Sequence, residues 1–180
     1  MTASARSTIA VVGVLTMVLG ASACTVVREE QDSDTTRVAV ATPVGSLAAR
    51  TGEKAGDTGL PVYPGSQPSR NETGDDPERA NVAIGTPWFG LRVVAAEYES
   101  RDSAEQVLAY YRPILQTFGA VTECQGDVDF KNGRPVCGGV GASREIQLVV
   151  GTEEHHRMVS VHPRGDGSTF ALVSIQMGGK

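Results

Sequence analysis

The chain has 180 residues, a formal net charge of −5 at pH 7 and 40% hydrophobic residues. Its 16 basic residues are scattered among 21 acidic ones, and no basic stripe with interleaved aromatic residues could follow a phosphate backbone. Composition and charge therefore argue against a nucleic-acid partner, and the length leaves room for one hydrophobic core.

The first 23 residues have the three parts of an export signal. Arg6 and the free amine form a basic start, an apolar run extends from Ile9 to Leu19, and small residues follow it. The run is shorter than the ~20 residues that a helix needs to cross hydrocarbon. We therefore expect residues 1–23 to be a removable signal peptide.

Residues 21–24, Ala-Ser-Ala-Cys, resemble the lipobox of bacterial lipoproteins. In that family, a cysteine at the position of Cys24 receives a diacylglyceryl group before cleavage and is then usually N-acylated. The resemblance implies a lipid membrane as partner through acylated Cys24, and a location on the extracytoplasmic face of the cell membrane. Ala21 departs from the family, which prefers a branched aliphatic residue there. Residues 21–23 also fit an ordinary signal-peptidase site, which is the alternative.

The stretch after the lipobox has the composition of a solvated segment. Residues 25–59 are rich in Thr, Ala, Gly, Asp and Glu and hold no aromatic residue or periodic apolar pattern. A flexible coil of this length would span roughly 30 Å. We predict that residues 24–59 form a lipid-anchored flexible tether and that residues 60–180 form a single domain.

The predicted domain opens with extended chain and two strands. Two prolines in residues 60–65, Leu-Pro-Val-Tyr-Pro-Gly, force extended backbone. Residues 81–84 and 91–98 then form two strands, joined by the Gly- and Pro-containing residues 85–90.

One strong helix is predicted over residues 102–118. Asp102 can cap it and Glu105 can complete a capping box, while Gly119 ends it and Pro113 should kink its last turns. The apolar face of this helix consists of Ala104, Val107, Leu108, Tyr111, Leu115 and Phe118.

The opening Tyr63-Pro64-Gly65-Ser66 and the helix resemble small exported bacterial domains of unassigned activity. Those domains carry a Y-P-G-A/S opening and a D-S-x-E-x-V-x-x-Y-Y helix pattern. In this chain the helix pattern is matched by Asp102, Ser103, Glu105, Val107, Tyr110 and Tyr111. The resemblance implies a fold and no activity.

The rest of the domain is predicted to be strand and turn. Short apolar runs cover residues 120–124, 145–150, 157–162 and 169–177. A single amphipathic helix needs a sheet to cover its apolar face. We therefore predict an α+β two-layer sandwich, in which one main helix packs on one face of an antiparallel sheet.

Two cysteines remain besides Cys24. Cys124 and Cys137 are an even pair, and an exported domain would oxidise them to a disulfide. Asn132-Gly133 resembles a two-residue hairpin turn whose register would set Cys137 opposite Val128, ~13 Å along the strand from Cys124. The disulfide and an ideal two-residue hairpin are therefore predicted to be incompatible. We favour the disulfide, with Asn132-Gly133 turning inside a longer loop. Two free thiols or a metal pair are the alternative.

Other candidate chemistry is weak. His155 and His156 point to opposite faces of a strand and His162 is distant, so these residues with Glu153 and Glu154 are interpreted as solvated edge residues and no metal is expected. The glycine-rich residues 138–143 precede a strand, whereas a phosphate cradle needs a helix. No cofactor is predicted.

Trp88 and Phe89 are the largest adjacent apolar pair and lie in the turn between the first two strands of the domain. Consecutive residues tend to face opposite ways, so at least one should remain exposed. We interpret the pair as a partner-binding site, with an envelope protein as the candidate partner and a lipid surface as the less favoured one. The alternative is that both complete the core.

The sequence thus favours a membrane-anchored binding or interaction module of the bacterial cell envelope, and not an enzyme. The alternative is an envelope enzyme or enzyme accessory whose site assembles from scattered residues such as Arg92, Asp127, Asp129 and His162. A purely structural envelope component is a third interpretation.

Overall fold

A computed structural model describes residues 26–32, 35–42, 45–52, 57–69, 79–139 and 144–178. Within them lie twelve strands and one helix. The strands are β1 (Val26–Asp32), β2 (Thr35–Thr42), β3 (Gly45–Gly52), β4 (Gln67–Pro68), β5 (Arg79–Gly85), β6 (Gly90–Ser100), β7 (Val121–Gln125), β8 (Val128–Lys131), β9 (Arg134–Cys137), β10 (Ile146–Gly151), β11 (His155–Arg164) and β12 (Gly167–Gly178), and the helix is α1 (Ala104–Gln116).

Ten strands form one antiparallel sheet in the order β1-β2-β3-β5-β6-β12-β11-β10-β7, with β4 pairing beside β5 on the end of β6. Its centre is the long pair of β6 with β12, in register from Gly90 opposite Gly178 to Ser100 opposite Ser168. The hairpin of β8 and β9 is a separate two-stranded sheet.

The helix covers one end of the large sheet. It packs against β7, β10, β11 and β12. Its fully buried Val107, Leu108, Tyr111 and Leu115 share one cluster with sheet residues such as Phe170. Burying a side chain such as Leu108 contributes about 2–3 kcal/mol, so this apolar interface is the main stabilising contact of the helix.

The sheet has two different faces because side chains alternate along each strand. In β6, Val94, Ala96 and Tyr98 point to the side of α1 and are buried, whereas Leu91 and Val93 point to the other side and are half-buried. We call the side opposite α1 the open face. The β8–β9 hairpin lies over this face from its β7 edge as far as β11, where the rings of Phe130 and His156 are 4.8 Å apart.

The predicted fold class, an α+β two-layer sandwich with one main helix on one face of the sheet, is wrong. The described residues are mostly strand and contain one helix of 13 residues, so the fold is predominantly β. The sheet extends through β5, β3, β2 and β1, beyond the strands that α1 contacts. The error came from missing those outer strands.

The outer strands lie in residues 24–59, where a flexible tether was predicted. β1, β2 and β3 fall inside this stretch, and β3 pairs with β5 so that Ser46–Thr51 lie opposite Ala80–Gly85. Sheet pairing uses the backbone N–H and C=O groups, which every residue except proline carries. A segment rich in Thr and Ala can therefore pair as well as any other. The weak alternation of Val38, Val40 and Leu47 was the signal that composition concealed.

The helix begins at Ala104, two residues later than predicted, and its N-cap lies one residue later than predicted. Ser103 is the N-cap, its hydroxyl accepts from the backbone N–H of Gln106, and the Gln106 side chain accepts from the N–H of Ser103. This is a capping box. The predicted cap of Asp102 and Glu105 is therefore wrong by one residue.

The helix continues past Pro113 to Gln116. Phe118 lies after the C-cap Thr117 and is exposed, although it was assigned to the apolar face. The guanidinium of Arg157 stands 4.2 Å from the Phe118 ring, which gives the ring a cation–π contact in place of a core position. No helix in the described ranges is long and apolar enough to span a membrane.

Candidate functional site

The turn between β5 and β6 is held by one hydroxyl group. The Thr86 Oγ1 atom accepts from the N–H of Phe89 at 2.9 Å and from that of Trp88 at 3.3 Å, and it lies 3.1 Å from the Phe89 carbonyl. The backbone N–H of Thr86 donates to the same carbonyl at 2.7 Å. Residues 86–89, which we call the tip, are thus braced from inside the turn.

The tip presents both aromatic side chains to solvent. Trp88 is 77% exposed and Phe89 is 43% exposed. This agrees with the expectation that at least one of them stays accessible, and it argues against the alternative that both complete the core. The exposed indole is the only Trp of the chain.

A shallow depression of about 620 Å³ lies beside the tip. Its floor is short of side chains because Ser46, Gly85, Gly90 and Gly178 stand opposite one another across four strands. The residues that line it are Ala41, Thr42, Gly45, Ser46, Gly85, Thr86, Pro87, Phe89, Gly90 and Gly178. The depression is neutral, and its volume falls within the range of ordinary ligand pockets.

Gly45 allows the two turns at this end of the sheet to approach each other. A Cβ atom at this position would lie 2.7 Å from the carbonyl oxygen of Gly85 and 3.2 Å from the Thr86 methyl carbon. Only glycine therefore permits the close approach of the start of β3 to the end of β5. The depression and the tip are thus parts of one local structure.

The predicted disulfide is confirmed. Cys124 of β7 and Cys137 of β9 are bonded, with their Cα atoms 5.2 Å apart. The bond ties the β8–β9 hairpin to the sheet, and the Thr122 hydroxyl reinforces it by donating to the Pro135 carbonyl at 3.3 Å. Cys124 is fully buried, so this end of the open face is a second, smaller packed region.

The predicted incompatibility of the disulfide with the Asn132-Gly133 hairpin is wrong. β8 and β9 pair in the two-residue register, with Lys131 opposite Arg134 and Val128 opposite Cys137. Both features coexist because the chain reverses between β7 and β8. Gly126, at φ 94°, occupies a conformation that favours glycine and makes the bend. The hairpin folds back over β7, and the assumption of a continuous strand through residue 128 caused the error.

The scattered residues of the enzyme alternative do not converge. Arg92 of β6 stands opposite Gln176, and His162 of β11 stands opposite Thr169, so about seven β12 residues, roughly 23 Å, separate them. They also point to opposite faces of the sheet. Asp127 and Asp129 lie at the β8–β9 hairpin, where the Asp127 carbonyl accepts from the N–H of Gly138 at 2.9 Å.

All three histidines lie in strand β11. His155 and His156 are consecutive in β11, and the Nδ1–H of His156 donates to the Thr152 carbonyl at 3.0 Å. Glu153 and Glu154 lie in the exposed turn before β11. Among the described residues, no group of three or more His, Cys, Asp or Glu side chains could hold a metal ion.

His162 borders a small polar cavity that sequence reasoning missed. The cavity measures about 320 Å³ on the open face and also involves Glu97, Glu145, Ser160 and Thr169. The Ser160 hydroxyl donates to the Glu145 carboxylate. The alternation of polar residues in β11, with Ser160 and His162 two apart, was the available signal.

A polar link also fastens the domain opening to the start of the helix. The hydroxyl of Tyr63 donates to Asp102 Oδ2 at 2.8 Å, and this hydrogen bond, with burial, raises the pKa of the Tyr63 phenol. Asp102 therefore holds the opening segment, although it was predicted as a helix cap.

Cys24, the predicted lipidation site, lies outside the described residues, as do residues 140–143 of the glycine-rich run. Their predictions stay predictions.

No protein-family model, curated protein or solved structure matches the chain significantly. Function is therefore inferred from the residues themselves: a predominantly β protein with a hairpin cross-linked to edge strand β7 and an exposed, braced aromatic tip at the β5–β6 turn.

Proposed function

We propose that this protein is a membrane-anchored extracytoplasmic lipoprotein of the bacterial cell envelope, and that it works as a binding module. Acylated Cys24 attaches it to the lipid membrane, and the tip contacts an envelope protein. The observation that carries the binding role is the exposure of Trp88 on a turn whose backbone is fixed by Thr86.

A braced turn favours binding for an energetic reason. Ordering a flexible loop at an interface costs conformational entropy, and a turn already held by hydrogen bonds avoids most of that cost. Trp is enriched among residues that dominate binding energy, because it buries a large area with few rotatable bonds. The tip combines both properties at one place.

The neighbouring depression supports a protein partner. A partner side chain can enter a neutral hollow floored by glycine while the Trp88 ring covers the partner's adjacent surface. The depression is open and, among the described residues, no charged side chain lines it, which suits an uncharged side chain better than a charged metabolite.

The extracytoplasmic location is supported by the disulfide. Bonds such as Cys124–Cys137 persist in oxidising compartments and are rare in reducing ones. Together with the lipobox resemblance at residues 21–24, this favours a domain that is exported and held at a membrane surface.

Affinity capture from envelope extracts tests the binding role. The tagged wild-type chain is compared with a Trp88→Ser, Phe89→Ser double variant. The control is Val62→Ser, which removes an exposed apolar side chain from the opening segment instead of the tip. We expect the double variant to lose a specific partner at unchanged melting temperature, while the Val62 control keeps it. A clear loss of stability in the double variant would assign the pair to the core and contradict the proposal.

A further inference from the structure

The depression beside the tip has the length of a short linear segment. Its floor runs from Ser46 to Gly178 across β3, β5, β6 and β12, which is three strand spacings of about 4.8 Å, or about 14 Å. Thr42 and Gly45 border it beside β3, and residues 86–89 border it at the tip. A polyproline II segment rises about 3.1 Å per residue, so about five residues match this length.

The surroundings of the depression exclude an added strand and a docked helix. In the part of the chain that the structure describes, each strand of the floor lies between two others: β3 between β2 and β5, and β12 between β6 and β11. No strand edge is therefore free there to take a partner strand. A helix has a diameter of about 10–12 Å and docks along an apolar groove, whereas this depression is shallow and floored largely by glycine.

The chemistry of the lining excludes charged partners and sugars. Among the described residues, every side chain that lines the depression is uncharged, whereas acidic or phosphorylated motifs are bound by clusters of Arg. A sugar presents pairs of adjacent hydroxyl groups, which suit the two-atom polar ends of Asn, Gln, Asp, Glu and Arg side chains. The lining contains none of these residue types.

A polyproline II segment fits the groups that are present. It has no internal hydrogen bonds, so its carbonyl groups need donors from outside. The indole N–H of Trp88 can only donate, and the Ser46 Oγ atom lies in the floor, 3.2 Å from where a Cβ atom of Gly85 would stand. The exposed rings of Trp88 and Phe89 offer faces on which proline rings pack. Grooves lined by aromatic side chains are the usual binding sites of proline-rich segments.

We propose that the tip binds an uncharged, proline-rich segment of its partner in the polyproline II conformation, with one proline ring in the depression. The inference rests on the proposed function, because it names the part of the envelope protein that the same site contacts. Such a segment is already extended before it binds, and the tip is already braced. Both sides therefore lose little conformational entropy, which allows a short segment to bind.

Fluorescence of Trp88 tests the inference directly, since this residue is the only Trp of the chain. The purified exported chain is titrated with an oligoproline peptide and, separately, with a Gly-Ser peptide of equal length. The oligoproline peptide should shift the emission of Trp88 to shorter wavelength in a saturable way and protect it from quenching by acrylamide. The flexible Gly-Ser peptide should do neither.

A valine at Gly178 tests the role of the depression. A Cβ atom at this position would meet nothing within 4 Å, so Gly178→Val fills the floor without displacing other atoms. It should weaken oligoproline binding roughly tenfold. Gly139→Val is the matched control, because a Cβ atom there also meets nothing within 4 Å and the residue lies next to the β8–β9 hairpin. The control should leave the affinity unchanged, and both variants should keep the melting temperature.

Three results overturn the inference. One is a Trp88 emission that oligoproline leaves unchanged or that the Gly-Ser peptide changes equally. Another is equal weakening by Gly178→Val and Gly139→Val. The third is a response of Trp88 to a neutral oligosaccharide and not to oligoproline, which would assign the tip to a glycan. If Gly178→Val lowers the melting temperature, Phe89→Ser takes its place in the comparison.

Failure of this inference differs from failure of the proposed function. Partner capture that depends on Trp88 and Phe89 but is accompanied by no oligoproline binding would leave the proposed function intact and reject the proline-rich segment. Partner capture that is unaffected by the double Ser variant would reject the proposed function itself.

Discussion

The hydroxyl of Tyr111, in the middle of the helix, donates a hydrogen bond to the carbonyl of Pro61 at 2.9 Å across 50 residues of sequence. The ring is fully buried and contacts Phe170. Burial raises the pKa of this phenol far above its ordinary value, so the group stays a neutral donor while the protein is folded. One side chain thus joins the opening segment, the helix and the sheet.

Removing this hydroxyl should destabilise the fold slightly. Tyr111→Phe keeps the ring and leaves the Pro61 carbonyl without its donor, so we expect a loss of about 1 kcal/mol in the free energy of unfolding. Urea denaturation measures it. Tyr110→Phe, on the same helix, is the control and should change stability by less. Equal effects for both variants would contradict the role assigned to the Tyr111 bond.

The disulfide should contribute more to the free energy of unfolding than the Tyr111 hydrogen bond does. Joining residues 13 apart restricts the unfolded chain, and a loop of about this length is worth about 3 kcal/mol in the loop-entropy model. The Cys124→Ala, Cys137→Ser double variant should therefore melt at lower temperature, and reductant should affect the wild type alone. If a thiol-reactive reagent labels both cysteines in unreduced, denatured protein from the native host, the disulfide prediction is wrong.

The ion pair between helix and sheet predicts a dependence of stability on pH. Arg112 Nε lies 2.9 Å from Glu123 Oε2, and this hydrogen bond lowers the pKa of the Glu123 carboxyl. A lowered pKa in the folded state stabilises the protein above the unfolded pKa of about 4.3, and that contribution is lost as pH falls through the folded value.

Glu123→Gln should therefore be less stable than the wild type at pH 7, by under about 1 kcal/mol because the pair is partly solvated. The difference should vanish in acid. Glu105→Gln removes a longer contact to the same Arg112, at 3.3 Å, and serves as the weaker control. A Glu123→Gln deficit that persists at pH 2 would show that the charge is not its cause.

The anchor prediction is tested by fractionation. Cys24→Ala removes the sulfur that would receive the diacylglyceryl group, so the variant should move from the membrane pellet to the soluble extracytoplasmic fraction. Cys137→Ser is the matched control and should stay with membranes. Continued pelleting of the Cys24 variant would contradict the lipobox interpretation and leave ordinary signal-peptidase cleavage, or another attachment, to explain the leader.

Elements with strong periodicity were predictable. The helix and the strands around β5, β6, β10, β11 and β12 were predicted from the spacing of their apolar residues. Burial of one face in a core requires that regular spacing. Boundaries differed by a few residues, as with Ser103, because the choice of cap depends on local geometry.

The outer strands were not predictable from composition. β1, β2 and β3 belong to the sheet through backbone pairing, and their amino-acid sequence shows only weak alternation of apolar and polar residues. Without those strands the fold class came out as α+β. The reversal at Gly126, which reconciles the hairpin with the disulfide, depends on tertiary contact and has no periodic signal.

The candidate site was partly predictable. The turn residues around Trp88 and Phe89 identified a tip, and alternation implied that one ring would be exposed. The brace formed by Thr86 and the hollow floored by Gly85 and Gly90 required the register of four strands. No spacing rule reveals such a register, because it is set by pairing between distant segments.

Site-specific photo-cross-linking in living cells tests the central claim that the tip contacts an envelope protein. A photoreactive phenylalanine analogue replaces Trp88 in one chain and Val62 in another, and both chains keep Cys24 and the disulfide. The account predicts a discrete cross-linked protein for position 88 that is absent for position 62, and its loss when Thr86→Val removes the bracing hydroxyl but not when Thr86→Ser retains it. Identical cross-linking patterns at positions 88 and 62, or none at 88, would contradict it.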